Sequence, residues 1–205
     1  MTTKKIPSVT VLLPGGRLRL DVMEEIRRVA EEFSLGIYLT TLQNLRLTDI
    51  RRQDLDGIRQ RLLDLGLVLH EPGRFPLPRV CVGKNHCNLG IVDTLVWSEK
   101  ISAAFGDRGL TKGKFRIAIS ACDMCCSGTK TSDIGIVATR EGFDLYAGGK
   151  GGPHPNAGIR IGRNLSEGQV MEMMSRLVEF HDEKTQTRQR FAKLRELDDF
   201  PYREV

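Results

Sequence analysis

Five cysteines are the residues best suited to chemistry in this sequence, and they fall into two groups. Cys81 and Cys87 are separated by five residues, whereas Cys122 and Cys126 are separated by three, one of which is Cys125. Zinc ribbons favour closer pairs at both ends of the site. A [4Fe–4S] cubane takes four thiolates that reach in from loops, so this spacing predicts an iron–sulfur cluster.

Five thiols can supply four ligands in more than one way, because Cys125 and Cys126 are adjacent. We predict that Cys81, Cys87, Cys122 and Cys126 bind the metal and that Cys125 is the spare thiol. The alternative is that several of the five are buried, unreactive thiols.

Cationic side chains stand close to the cysteines in the sequence. Lys112, Lys114 and Arg116 occupy alternate positions leading into a predicted strand, so their side chains should share one face. Arg79 lies two residues before Cys81. Such a set can bind a small anion, although charges at a strand edge also act simply to prevent aggregation.

A glycine-rich segment offers further anion contacts through its backbone. It contains Gly148, Gly149, Gly151 and Gly152, and glycines let backbone N–H groups approach an anion closely. The segment lacks the strand–turn–helix spacing of a dinucleotide-binding motif. We predict a nest for an anion, with an ordinary loop as the alternative.

The composition fits a globular protein of one or two domains, with 205 residues and a formal net charge of +5. No apolar run resembles a signal peptide or a membrane span, which predicts a cytoplasmic protein with unpaired cysteines. The charge suits small anions or an acidic electron carrier.

A zinc protein that binds nucleic acid is an alternative, but no basic patch with interleaved aromatic residues supports a nucleic-acid partner. The basic C-terminal residues, Arg190 among them, are expected on a solvated helix face.

Hydrophobic periodicity predicts an α+β fold that is interrupted at residues 71–78. Before the interruption we predict strands at residues 9–13 and 37–47, a helix that Asp21 caps, and a helix at residues 54–65. After it we predict an amphipathic segment at residues 91–105, strands at residues 115–120, 134–138, 143–146 and 159–161, and a helical stretch at residues 166–197. The proline- and glycine-rich interruption predicts two domains, residues 1–72 and 73–205.

The order of these motifs resembles a known family. The segments CVGKNHCNLGIVDT (81–94), IAISACDMCC (117–126), SDIGI (132–136) and YAGGKGG (146–152) are similar to the sirohaem and iron–sulfur domain of nitrite and sulfite reductases. The segments LPGG (13–16) and LTTLQNL (39–45) are similar to the ferredoxin-like half-domain that precedes it in that family. The resemblance implies a ferredoxin-like half-domain followed by a sirohaem/[4Fe–4S] domain of α+β type.

The resemblance also implies the cofactors and the roles of individual residues. It implies a [4Fe–4S] cluster and a sirohaem whose iron is ligated through Cys126. Lys114 and Arg116 match basic residues that bind the substrate anion, with Lys114 as the acid and Arg116 as a charge clamp. Cofactor carboxylates are then expected at Lys112, Arg79 and the four glycines of residues 148–152.

The implied activity is the six-electron reduction of sulfite to sulfide, because the length resembles that of the low-molecular-weight sulfite reductases. Nitrite reduction to ammonia and an iron–sulfur electron-transfer protein without catalytic sirohaem are the alternatives. The family's arginines are missing where Tyr38 and Leu42 stand, and so is a basic residue where Leu12 stands. Larger members contain the two-domain unit twice, so we expect a homodimer here, with a small anionic substrate and an electron donor such as ferredoxin as further partners.

Overall fold

The computed structural model of the chain describes residues 6–109, 111, 114–185 and 190–205. The chain divides into two compact units, Met1–Glu71 and Pro72–Val205. Within the described residues no helix is both long and apolar enough to cross a membrane.

The N-terminal unit is a three-stranded antiparallel sheet with two helices. Its elements are β1 (Val9–Val11), α1 (Leu20–Phe33), β2 (Gly36–Leu39), β3 (Leu45–Thr48) and α2 (Leu55–Asp64). The strand order is β1-β3-β2, so β3 is central. The buried side chains of β3, Leu45 and Leu47, pack with Ile26 of α1 and Ile58 of α2, because alternate strand residues face the helices.

The prediction of a single strand at residues 37–47 is wrong, because these residues form a hairpin. Thr40 donates its backbone N–H to Asn44 O at 2.8 Å, and Thr40 Oγ1 accepts from Asn44 N at 3.1 Å. Gln43 has a φ of 61°, which closes the turn between β2 and β3. The polar residues of this turn satisfy its backbone locally, and periodicity over the flanking residues did not reveal it.

Asp21 is not the N-cap of α1, as the sequence predicted. The cap is Arg19, and Asp21 lies in the first turn, where it forms an ion pair with Arg19. A carboxylate there still favours the helix through the helix dipole.

The C-terminal unit is a mixed five-stranded sheet flanked by helices. Its elements are β4 (Arg79–Val80), α3 (Thr94–Phe105), β5 (Ile117–Ser120), β6 (Ile134–Thr139), β7 (Gly142–Ala147), β8 (Ile159–Leu165), α4 (Glu167–Lys184) and α5 (Phe191–Leu194). Strands β4, β5 and β6 are parallel, and β6, β7 and β8 form an antiparallel meander. The parallel strands therefore share one edge for their amino ends and another for their carboxyl ends.

Helix and sheet in this unit share one apolar core. Trp97 of α3 meets Phe143 of β7 edge to face, with ring centroids 4.6 Å apart. Met174 of α4 is fully buried among the strands. The core therefore fixes the sheet whose ends carry the residues described below.

The predicted helical stretch of residues 166–197 is interrupted. α4 begins with a capping box between Ser166 and Gln169 and ends at Lys184. Thr185 leaves the helical conformation, and its backbone N–H donates to His181 O at 3.0 Å. Arg190 has extended backbone angles and is the N-cap of the short helix α5.

Candidate functional site

The two cysteine loops begin at neighbouring strand ends. Cys81 directly follows β4, and Cys122 lies two residues past the end of β5. Cys81 donates its backbone N–H to Ile119 O at 3.3 Å, and Ile91 donates its N–H to Ala121 O at 2.9 Å. Parallel pairing of β4 with β5 therefore brings the two loops to one edge of the sheet.

All five thiols are unpaired, and none is fully buried. Cys126 is exposed, and the other four are half-buried. Ala121 donates its backbone N–H to Cys81 Sγ at 3.2 Å. The backbone of the second loop therefore orients the sulfur of the first.

The first cysteine loop is held by backbone contacts and by the hydroxyl of Thr94. Thr94 Oγ1 donates to Cys81 O at 2.5 Å, and Lys84 N donates to Val92 O at 2.9 Å. A Cβ added at Gly90 would lie 2.7 Å from backbone atoms of Gly83 and Lys84. The chain thus crosses itself inside the loop, and only glycine allows the crossing.

The second cysteine loop is a tight turn anchored on β5. Cys125 has a φ of 53°, in the left-handed region, and Gly128 donates its N–H to Cys125 O at 2.8 Å. Ser127 Oγ donates to Ile119 O at 2.7 Å. This anchoring leaves Cys126 on the surface, next to a fixed backbone.

The chemistry of the donors fits an iron–sulfur cluster, which is held by cysteine thiolates. No group of three or more His, Cys, Asp or Glu side chains in the described residues is arranged to hold one metal ion. In a cubane each iron takes one thiolate, so the ligands need not converge on one point. Unpaired thiols on two fixed loops, with a backbone N–H aimed at one sulfur, fit such a group. The choice of Cys81, Cys87, Cys122 and Cys126 over Cys125 stays a prediction.

A cationic pocket of about 360 Å³ lies in the same unit. Four cationic residues and four small or polar residues line it: Arg79, Lys114, Arg116, Arg190, Thr131, Ser132, Gly151 and Gly152. Strand β4 begins at the lining residue Arg79, β5 begins directly after Arg116, and β6 begins two residues after Ser132. The pocket therefore belongs to the amino ends of the parallel strands.

The pocket has more positive than negative charge. Among the described residues, no carboxylate pairs with Arg79, Lys114 or Arg116. Burial, followed by the neighbouring Arg116, lowers the pKa of the Arg79 guanidinium from its ordinary value. Such unneutralised cations favour binding of an external anion.

One buried carboxylate stands behind these cations. Asp133 is 1% exposed and lies 3.3 Å from the Arg190 guanidinium. Its oxygens accept the backbone N–H of Arg116 at 2.9 Å and of Phe191 at 3.2 Å. Burial raises the pKa of Asp133 to about 6, although Arg190 and these N–H donors act in the opposite direction.

The cysteines and the pocket lie at opposite ends of β5. Arg116 directly precedes the strand, and Ala121 directly follows it. At about 3.3 Å per residue, the backbones of these two residues are about 16 Å apart. Arg79 is the exception, because only Val80 separates it from Cys81 in the sequence.

The structure brings together most of the predicted basic and glycine residues, but not through the predicted alternation. Arg79, Lys114, Arg116, Gly151 and Gly152 line the pocket. Lys114 has a φ of 76°, so the chain is not extended before β5. Lys112 lies outside the described residues, and its role stays a prediction.

Gly148 and Gly149 are not among the residues that line the pocket. A Cβ on Gly148 would meet the Arg195 side chain, and one on Gly149 would meet backbone oxygens of Lys130 and Ser132. These glycines therefore support close packing of the loops, and their contact with a cofactor stays a prediction.

Sequence reasoning missed Arg190, Thr131 and Ser132, which complete the pocket. Arg190 was expected on a solvated helix face, but its side chain is 22% exposed and contacts Asp133. The residues between the two C-terminal helices include no proline or glycine that would indicate a break.

Comparisons with known proteins agree with this arrangement. Residues 77–196 match the family described as the nitrite and sulphite reductase 4Fe-4S domain, and residues 2–65 match the nitrite/sulfite reductase ferredoxin-like half domain. The chain is 28% identical over 188 residues to the NAD(P)H nitrite reductase of Emericella nidulans. It is 26% identical over 182 residues to an assimilatory-type sulfite reductase of Nitratidesulfovibrio vulgaris.

The relatives differ in how much of them the chain spans. The alignments cover 91% and 88% of this chain, but 17% of the Emericella protein and 82% of the Nitratidesulfovibrio protein. The solved structure of Mycobacterium tuberculosis NirA protein aligns with a TM-score of 0.71 and 19% identity, over 95% of this chain and 39% of that one. This likeness supports the α+β fold.

The two matched segments include both cysteine loops and all of the pocket-lining residues. The resemblance predicted from the motifs is confirmed, as are the predicted fold class and the iron–sulfur character of the C-terminal domain. The chain therefore belongs to the nitrite and sulfite reductase family, whose members carry sirohaem and a [4Fe–4S] cluster.

Proposed function

We propose that the chain is a sirohaem-dependent reductase that carries out the six-electron reduction of sulfite to sulfide. The cationic pocket carries the proposal, because three of its cations have no carboxylate partner in the described residues. Sulfite is a small oxyanion that such an excess of charge attracts. One relative, 82% of whose length the alignment covers, is a sulfite reductase, which supports sulfite over nitrite.

The proposed cofactor ligands are the cysteines at the carboxyl ends of β4 and β5. Cys81, Cys87, Cys122 and Cys126 would hold the [4Fe–4S] cluster, with the Cys126 thiolate also ligating the sirohaem iron. The bound group would supply electrons one at a time to an anion that stays in place through six transfers. Because Cys126 is exposed, a large planar group could approach this residue from solvent.

The proposed roles in the pocket follow from the chemistry of its side chains. Arg116 binds the anion as a fixed charge, because a guanidinium keeps its proton. Lys114 is exposed, and its ammonium group donates the proton to an oxygen that leaves the anion. Arg79, Gly151 and Gly152 contact cofactor carboxylates, as do Lys112, Gly148 and Gly149 in the same proposal.

Nitrite reduction to ammonia is a second candidate, since a nitrite reductase is among the relatives. Both substrates are small anions that the same cations bind. Steady-state rates with each substrate decide between them: we expect kcat/KM to be higher for sulfite, and the reverse order would assign the chain to nitrite.

An iron–sulfur electron-transfer protein without catalytic sirohaem is a third candidate. The family's arginines are replaced by Tyr38 and Leu42, which are 61% and 41% exposed. Neither side chain is cationic: the Tyr38 hydroxyl offers a carboxylate one neutral donor, and Leu42 offers none. An optical and paramagnetic spectrum of the anaerobically purified protein tests this point: haem bands together with a cluster signal support the reductase, and a cluster signal alone supports the carrier.

We propose that the enzyme is a homodimer in which the pocket of one chain faces the cofactor of its partner. The separation of about 16 Å along β5 supports this arrangement, because the pocket and most of the cysteine loops lie at opposite ends of the strand. Mixed dimers test it. A Lys114→Ala chain paired with a Cys126→Ala chain should regain activity through one intact combined site, and inactive mixed dimers would refute sharing.

The electron donor in this proposal is a small acidic carrier such as ferredoxin. The net charge of +5 favours encounter with such a partner. The proposed location is the cytoplasm, where five unpaired cysteines remain reduced.

A further inference from the structure

Arg190 reaches the cationic pocket from a distant part of the sequence. It is the N-cap of α5, and its side chain lines the pocket together with Lys114 and Arg116. Its 22% exposure is well below what a solvated helix face gives. A cation that the fold keeps half-buried beside three others needs a physical explanation, because like charges repel.

Asp133 supplies part of that explanation by fixing the position of Arg190. Its carboxylate lies 3.3 Å from the guanidinium and accepts the backbone N–H of Arg116 and of Phe191. One buried group thus ties the start of β5, the start of α5 and the Arg190 side chain together. The guanidinium loses little further freedom on binding a ligand, since it is already held.

The Arg190 guanidinium still has donors to offer. It carries five N–H bonds, and its contact with Asp133 is made through Nη2. Its Nε is buried and has no hydrogen-bond partner among the described residues. Buried donors without partners are costly, so an acceptor that reached the guanidinium would be bound favourably.

The presence of a carboxylate, Asp133, beside a pocket proposed to bind anions also needs an explanation. Four cations and one carboxylate leave a net charge of +3, and a carboxylate alone would weaken anion binding. Burial disfavours its ionised form despite the three donors around it. A charge kept under such conditions is typical of a group that positions a functional residue.

We propose that Arg190 is a further anion-binding residue, whose guanidinium is oriented by Asp133 and donates to the substrate anion beside Lys114 and Arg116. The inference rests on the proposed function, in which this pocket takes sulfite or a similar small oxyanion. Arg190 contacts the anion, and Asp133 acts through Arg190 as a positioning residue.

The test is a double variant that leaves the net charge of the pocket unchanged. Arg190→Gln combined with Asp133→Asn removes one positive and one negative charge, and it leaves neither partner buried alone. The matched control is Arg140→Gln with Glu141→Gln, an exposed pair in the turn between β6 and β7. Sulfate, a dianion that the enzyme is not expected to reduce, is titrated into the full-length holoenzyme by calorimetry at constant ionic strength.

We expect the sulfate dissociation constant to rise about tenfold or more in the double variant and to stay within about twofold in the control. A pocket that attracts anions through net charge alone predicts no change, so unchanged affinity in a folded double variant would overturn the proposal. If the double variant does not fold, Arg190→Lys decides. It keeps the charge but loses the planar fork, so we expect about threefold weaker binding, and wild-type affinity would count against Arg190.

Two single variants separate this inference from the proposed function. If Lys114→Ala and Arg116→Ala weaken sulfate binding while the Arg190 variants do not, only the inference on Arg190 fails. If none of these variants affects sulfate binding, the pocket is not the anion site, and the proposed function loses its main support.

Discussion

The two ends of the parallel strands β4 and β5 are built on different principles. At the carboxyl ends, backbone hydrogen bonds, the hydroxyls of Thr94 and Ser127 and a self-crossing at Gly90 fix the cysteine loops. At the amino ends, charged side chains from separate segments assemble around one buried carboxylate, Asp133. The geometry of the cysteine loops therefore depends on the path of the backbone, whereas that of the cationic pocket depends on the balance of its charges.

The largest effect is expected from removal of a cluster ligand at the carboxyl end. Cys122→Ser keeps the size of the side chain but removes a soft thiolate, so we expect most of the iron and acid-labile sulfide to be lost. Cys125→Ser is the matched control and should keep both, as measured on anaerobically purified protein. Loss in the Cys125 variant, with retention in Cys126→Ser, would show that the ligand choice is wrong.

The next largest effect is expected from added side-chain volume, which should lower stability at the cysteine end but not at the pocket end. In Gly90→Ala the new methyl group would meet backbone atoms at 2.7 Å, and we expect a loss of about 3–4 kcal/mol in the free energy of unfolding. Gly151→Ala, at the pocket end, has no atom within 4 Å of the added Cβ and should change stability by less than about 0.5 kcal/mol. Equal losses in denaturant titrations would contradict the difference between the two ends.

A charge change should act mainly at the pocket. Arg116→Ala removes a cation that has no carboxylate partner in the described residues, so stability should change little. We expect about a tenfold rise in KM for sulfite, because one charge-assisted contact is lost. Iron content should stay at the wild-type level, and Arg140→Ala should leave KM unchanged. A fall in bound iron would show that the two ends are not independent.

The smallest effect concerns the pH dependence of stability. The pKa of Asp133 is about 6 in the folded state against 3.8 as its ordinary value, so the folded state binds more protons between these values. The stability contributed by this group is fully present below about pH 3.8 and is lost as pH rises through about 6. Relative to Asp133→Asn, wild-type stability should fall by about 1.4 kcal/mol between pH 5 and pH 7.5. A relative rise over this range would contradict burial as the dominant cause.

Periodicity predicted elements that pack on one face and failed where local polar contacts decide. The helix predicted at residues 54–65 is confirmed as Leu55–Asp64, because Ile58 and Leu62 point to one core. The hairpin within residues 37–47 was missed, since its turn is set by Gln43 and by hydrogen bonds between Thr40 and Asn44. The spacing of apolar residues does not depend on such hydrogen bonds, so it cannot predict the turn.

Motifs predicted the site well where residues are close in sequence. The cysteine pairs and the basic residues around Arg116 could be found by spacing and by resemblance. Arg190 and Asp133 are 57 residues apart and meet only after α4 and α5 have folded onto the sheet. Long-range ion pairs of this kind leave no periodic signal, so the sequence alone could not reveal them.

The shortness of β4 has a consequence for its alignment with β5. Arg79 and Cys81 flank Val80, which is 4% exposed, so these two side chains point to the opposite face from Val80. A slip of one residue along β5 would turn the guanidinium and the thiol inward and Val80 outward. Burial of Val80 therefore fixes the register of both Arg79 and Cys81. An insertion or deletion in β4 would displace both side chains together.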